Sequence, residues 1–249
     1  MIYEIRLKGR QKQGECSTIL TMAFFVIVLT AFSLNLIPMV YLTSIRPMLS
    51  DFGQERAITV ILSLVLLIIS VAVYSCLSFG TDRFMLKRAE NTIAGAGDIF
   101  YYFAPKRFLG LCLFSFKLGS CKALIFILLS LPFVICAFIL YTLSVGGFSA
   151  LVCWVFALFS LVFLFLVIGT FSKINDTFFL VRYRFIRGDY LNFRHLLARS
   201  QQDMSDKTAK LRRLKGSFTG WFLLCLLVVP IPYVWCYYRQ SKACFAVLE

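Results

Sequence analysis

The sequence predicts an all-α protein, a polytopic transmembrane helical bundle of about five spans with amphipathic interfacial helices on the cytoplasmic side. Three observations lead there. Hydrophobic residues make up 60% of the chain and charged residues only 15%, with a mean hydropathy of +0.83, a balance that excludes an ordinary soluble domain. The apolar residues gather in blocks of about 20 or more, the length that covers a hydrocarbon core of about 30 Å. Lys and Arg fall in the gaps around those blocks with counts of 4, 2, 7, 0, 11 and 2 from the N-terminus, so alternate gaps hold 22 against 4. Cytoplasmic segments carry the excess of Lys and Arg. The expected protein therefore crosses the plasma (cytoplasmic) membrane several times, with its N-terminus inside and its C-terminus outside.

In chain order, residues 1–16 form a basic cytoplasmic arm carrying Arg6, Lys8, Arg10 and Lys12. The apolar run behind it has no charge from Cys16 to Ile45 and no small-x-small cleavage site, so it is too long for a signal peptide and reads as an uncleaved first span, 18–42. Pro38 removes the hydrogen bond to the Leu34 carbonyl and should kink that span, one turn after Asn35. An outer loop at 46–56 leads into the second span, 58–79. The cytoplasmic segment 82–122 sets aromatic residues beside bases, from Asp98 to Phe103 and from Pro105 to Phe108. Its apolar stretch, 108–116, is too short to cross and reads as an interfacial helix running up into the third span.

Fifty uncharged residues separate Lys122 from Lys173. One helix of that length would be about 75 Å long, so Gly146-Gly147 should turn the chain between spans 123–145 and 149–171. The cytoplasmic segment 173–216 follows with eleven bases. Its first part continues the fourth helix or lies along the surface, and whether 104–122 and 174–190 are interfacial, re-entrant or extra spans stays open. Asp189 reads as the N-cap of a helix with Tyr190, Phe193 and Leu197 on one face. Lys207, Lys210, Arg212, Arg213 and Lys215 make a basic collar, a candidate contact for anionic lipid, although topology signalling alone also accounts for it. In the last span, 217–238, Trp221 at one end and Tyr233, Trp235, Tyr237 and Tyr238 at the other suggest two interfacial belts, with Trp221 and Tyr237 about 24 Å apart along a helix. Pro230 and Pro232 free the carbonyls of Leu226 and Val228 and should bend or unwind its outer third.

Catalytic chemistry is hard to find. No ionisable residue lies inside the five uncharged cores, which argues against ion-coupled transport. No phosphate-binding loop, zinc-protease or nucleophile-elbow motif occurs. The nine cysteines form no C-x-x-C pair, and His195 is the one histidine. Only Cys236 and Cys244 fall at the expected outer face, where a disulfide could form. No catalytic residue, cofactor or metal site is expected, so the chain reads as a non-enzyme. Its net charge of +14 is read as attraction to an anionic leaflet, about 1 kcal/mol per base, not as nucleic-acid binding. The expected partners are membrane lipids, anionic ones above all, and a membrane or cytoplasmic protein. The function expected is action through lipid or protein contacts at the cytoplasmic face. The alternative is a permease or accessory subunit of a transporter whose 82–122 segment docks a separate ATPase.

Several residues recur in a recognisable order. Gly80-x-x-Arg83 precedes Asp98-Ile-Phe-x-x-Phe103. Ser200 and Met204 then precede a basic stretch with Leu211, Leu214, Ser217-Phe218, Trp221, Pro232-Tyr233 and Ala243-x-Phe245. Mainly over 80–249, the chain resembles a bacterial integral membrane protein family catalogued as domain of unknown function 975. The resemblance implies an integral protein of a bacterial cytoplasmic membrane and brings no catalytic residue with it.

Overall fold

The computed structural model describes residues 2–14, 17–40, 55–146, 150–188, 192–225 and 230–248. Among the described residues every regular element is helical. In order these are α1 (Ile2–Gly14), α2 (Ser17–Val40), α3 (Glu55–Ala89), α4 (Pro105–Val145), α5 (Ala150–Thr177), α6 (Phe179–Arg187), α7 (Phe193–Met204), α8 (Thr208–Gly216), α9 (Thr219–Leu224) and α10 (Ile231–Leu248), with two 3₁₀ turns, Ala96–Asp98 and Tyr101–Phe103, before α4. The chain divides into two compact units. The first comprises Met1–Leu113, Tyr183–Tyr190 and Lys210–Glu249, the second Phe114–Arg182 and Leu191–Ala209.

Two stretches, Pro105–Thr142 and Trp154–Arg187, are long and apolar enough to cross a membrane, and the most apolar 18 residues of each are almost wholly exposed. That exposure distinguishes them from the core helices of a soluble globule. Thr21–Thr30 of α2 is a shorter apolar stretch. Five helices of that kind were expected; two are found among the described residues. The expected interfacial segment 104–122 is the first half of α4, which runs unbroken through Pro132. Pro105 opens that helix at a position where a missing N–H leaves nothing unpaired. The expected loop 46–56 and the turn at Gly147 fall mostly or wholly outside the described residues, as do Asp189 and Tyr190.

In the second unit, an edge-on pair, Phe126 and Phe171, with centroids 5.2 Å apart, joins α4 to α5. Phe114 meets Phe193 of α7 at 5.9 Å, and the Ser200 hydroxyl donates to the Thr177 carbonyl at 3.1 Å. Helix α7 begins after Asn192 and buries Leu196, Ser200 and Met204. That row repeats every four residues and therefore follows one side of a helix; Phe193 and Leu197, expected to share a face, are both half-buried beside it.

The first unit is built around α10. Helix α1 buries Ile5, Gly9 and Gln13, again at intervals of four, and lays this stripe antiparallel along α10. The Gln13 amide donates to the Tyr233 carbonyl at 3.2 Å, Arg6 Nε donates to the Tyr237 hydroxyl at 3.3 Å, and Gly9 abuts Ser241. A Cβ on Gly9 would come 3.1 Å from the Ser241 Cα, so glycine permits the close approach. On its other side α10 meets the second half of α3. Arg239 donates to Ser78 Oγ at 2.6 Å and pairs with Asp82 at 3.4 Å, and the Gln240 amide donates to the Met85 carbonyl at 3.2 Å. Trp235 meets Phe24 of α2 edge-on at 5.3 Å.

These contacts revise the last expected span. Residues 217–238 are not one helix but two, α9 and α10, with 226–229 between them outside the described residues. Pro230 stands just before α10 and Pro232 in its first turn, where proline is tolerated, so they start a helix instead of kinking one. The aromatic residues meant for two belts meet each other. Phe218 lies 4.8 Å from Tyr237, Trp221 lies 6.1 Å from both Tyr233 and Tyr237, and Phe222 lies 5.3 Å from Tyr238. Trp221 and Tyr237 would be about 24 Å apart on one helix; the block has folded back on itself. Asp82, expected inside, and Arg239, expected outside, form an ion pair whose side chains are 5% and 14% exposed. The contact sets α10 against the second half of α3. Cys236 and Cys244 are free and buried. Eight residues apart on one helix, they are separated by about 12 Å of rise, beyond the reach of a disulfide. Pro38 lies inside α2, whose backbone is helical through Val40.

Candidate functional site

The most chemically distinctive region of the first unit lies where α3 ends, the two 3₁₀ turns follow, and α4 and the end of α6 meet them. Helix α3 ends at Ala89, and Asn91 just beyond it has a φ of 58°, in the left-handed region. Thr92 N–H bonds to the Lys87 carbonyl at 2.9 Å and Asn91 N–H to the Arg88 carbonyl at 3.2 Å, the paired bonds of a Schellman ending. The chain then doubles back along α3 so closely that a Cβ on Gly80 would collide with the Ile99 carbonyl oxygen. Only glycine allows that crossing.

Asp98 holds the return in place. Its carboxylate accepts from Lys87 Nζ at 2.7 Å, Arg83 Nε at 3.3 Å and the Gly95 N–H at 3.2 Å. Burial pushes this carboxyl up, but the Lys87 hydrogen bond, the Gly95 N–H, the Lys87 charge and the Arg83 hydrogen bond more than offset it, leaving its pKa below the usual carboxylate value. Tyr102 is buried against Phe79, edge-on at 6.2 Å, and Phe185, stacked at 6.4 Å. Arg83 also donates to the Ile186 carbonyl at 3.4 Å, and Arg187 pairs with Glu90 at 2.7 Å, so the end of α6 is tied to α3 twice.

Tyr101 is stacked between two cations. The guanidinium carbon of Arg83 is 3.6 Å from its ring centroid and that of Arg107 is 3.8 Å. Both fit so close to one ring only on opposite faces. Around this stack opens a cleft of about 560 Å³, carrying Arg83, Lys106, Arg107 and Arg187 above an aromatic floor of Tyr102 and Phe185. A neighbouring recess of about 320 Å³ shares Arg83 and Arg187 and adds Lys87 and Glu90. No carboxylate lines the larger cleft. The arrangement is suited to holding an anion. Among the described residues no group of His, Cys, Asp and Glu is placed to hold a metal.

The predicted collar lies elsewhere. Lys207 precedes α8, and Lys210, Arg212, Arg213 and Lys215 lie on that helix, whose buried side is Leu211 and Leu214. Arg212 and Arg213 are exposed, and none of the five lines either recess. The cleft residues 101–107 drew attention in the sequence as aromatics beside bases. Arg187, about eighty residues further on, carried no local signal.

Fold and site thus define an all-α protein with two lipid-compatible helices and a basic, aromatic cleft in its first unit. Comparison with known protein families, curated proteins and solved structures finds no match to this chain.

Proposed function

We propose that this chain is a non-enzymatic integral membrane protein with four crossings, at 18–42, 58–79, 123–145 and 149–171, and both termini on the cytoplasmic face, where it acts by binding lipid or protein. The observation that carries the reading is the folded-back 217–238 block, whose α10 is ion-paired to α3. With that block returning to its own side, Arg239 and Lys242 join the cytoplasmic bases. The split over the chain sharpens from 22 against 4 to 24 against 2, the direction in which a correct topology should move it. Residues 217–238 then enter the membrane as a re-entrant hairpin. The ring contacts between α9 and α10 hold the two arms together.

The cytoplasmic face gathers the basic cleft, the collar at Lys207, Lys210, Arg212, Arg213 and Lys215, and the buried polar contacts of α1, α3 and α10. Binding surfaces of this make-up suit anionic lipid and acidic protein segments. The test is a pair of reporters joined after Glu249, one active only in the cytoplasm and one only after export. Activity of the cytoplasmic reporter alone is expected; activity of the exported one alone would restore a fifth crossing and overturn the proposal.

A further inference from the structure

We propose that the basic cleft around Tyr101 is a binding site for a phosphomonoester, presented as the headgroup of an anionic lipid. The argument starts from unbalanced charge. Of the five cations around the two recesses, Arg83 and Lys87 share Asp98, and Arg187 has Glu90. Lys106 and Arg107 have no carboxylate partner among the described residues. Five cations against the two carboxylates Asp98 and Glu90 leave an excess of three positive charges, which suits a phosphomonoester, carrying about −1.5 to −2 at neutral pH, better than a phosphodiester with a single negative charge.

Geometry adds to this. The contact with the Tyr101 ring, 3.8 Å from its centroid, restrains the Arg107 guanidinium, and no hydrogen bond to a described residue occupies its N–H groups. A planar fork held in place is the donor arrangement that binds two phosphate oxygens at once, and Lys106 beside it supplies a point charge. Gly110, one turn further along α4, lines the same cleft, and a Cβ there would meet nothing within 4 Å. The volume of about 560 Å³ is in the range of small-ligand sites.

A lipid is favoured over a soluble phosphate ester by what flanks the cleft. Leu109 and Leu113 follow Arg107 on α4 and are 64% and 52% exposed, on one of the two helices able to cross a membrane. A headgroup in the cleft would place its acyl chains beside these leucines. The assignment rests on the membrane reading above.

The experiment uses the full chain in detergent micelles, titrated with phosphatidic acid or phosphatidylglycerol and read by native mass spectrometry as lipid retained. Phosphatidic acid should be retained in preference to phosphatidylglycerol. The double variant Lys106→Gln/Arg107→Gln should bind it at least about tenfold more weakly, the scale of a lost charge-assisted bond. Arg194→Gln/Arg199→Gln, which loses the same charge from exposed positions on α7 outside the cleft, should bind as the unaltered protein does. Tyr101→Leu removes the stack but no charge and should weaken binding several-fold, which charge counting alone would not produce. Equal retention of the two lipids, or undiminished binding by the Lys106/Arg107 variant, would overturn the site. Displacement of phosphatidic acid by glycerol 3-phosphate at equal concentration would assign the cleft to a soluble phosphate ester and overturn the lipid assignment. Because the reporters read topology in cells and the titration reads headgroup preference in micelles, each proposal can fail without the other.

Discussion

Asp82→Asn and Arg239→Gln, singly and together, test the contact on which the folded-back C-terminal block depends. At 3.4 Å, two unit charges attract by about 5 kcal/mol at an effective dielectric constant of 20. Desolvation consumes most of that, so the intact pair contributes little net stability. Removing one partner is different, since the other charge stays buried without this counter-ion. Asp82→Asn should therefore cost about 3 kcal/mol. Arg239→Gln should cost about 4, because the 2.6 Å bond to Ser78 is lost with it. For a chain of this length such losses lower the unfolding midpoint by roughly 10 °C. The double variant leaves two neutral amides facing each other and should be at least about 2 kcal/mol better than the sum of the singles. Cys76, Cys236 and Cys244 are free and buried in the same unit, so a thiol-reactive dye reports its opening during a thermal ramp in detergent. Single variants that melt within a degree of the unaltered protein, or effects that simply add, would refute the pairing and with it the fold-back.

Other perturbations probe the site and the helix contacts. Gly80→Ala should cost about 1–3 kcal/mol by forcing the Ile99 carbonyl away, whereas Gly110→Ala, with open space around it, should be neutral or stabilise by up to about 1 kcal/mol; melting curves of the two compared side by side decide this. The depressed Asp98 pKa means its contribution is complete above the ordinary carboxylate value near 3.9 and is lost as pH falls through its lower folded value. Proteolysis of the 90–104 segment should therefore rise only in strong acid, and Asp98→Asn should show that susceptibility at neutral pH. Gly9→Leu should separate α1 from α10 at a cost of about 1–3 kcal/mol, seen as faster cleavage after Lys8 and Arg10 by trypsin.

The two long apolar helices were legible because an uncharged run between Lys122 and Lys173 is a property of the chain taken one residue at a time. The fate of 217–238 was not. Hydropathy reports that these residues avoid water, and it reads the same for one crossing helix and for two short ones packed together. The clue was Pro230-Ile-Pro232, treated as a bend within a span when two prolines so close more readily start a new helix. Aromatic residues at both ends misled for a related reason, since rings that suit an interface equally suit each other. At the cleft, the bases and rings of 101–107 stood out locally. What completes it, Arg187 tied to Glu90 and Ile186 to Arg83, depends on pairing across about a hundred residues, which no local pattern encodes. Gly80, by contrast, was noticed as part of a recurring pattern, and its physical reason is the Ile99 crossing.

The seam between α1 and α10 joins residues 220 and 231 positions apart, which has a consequence for how the chain matures. Helix α1 leaves the ribosome early and has no partner for its buried stripe until α10 arrives some 220 residues later. At about 5–20 residues per second, Gln13 and Gly9 wait on the order of ten seconds or more, and Asp82 waits for Arg239 through most of that interval. The seam therefore registers the arrival of α10: a chain stalled before that helix displays the Ile5, Gly9 and Gln13 stripe without its partner and Asp82 without Arg239, which distinguish it from one in which α10 has docked.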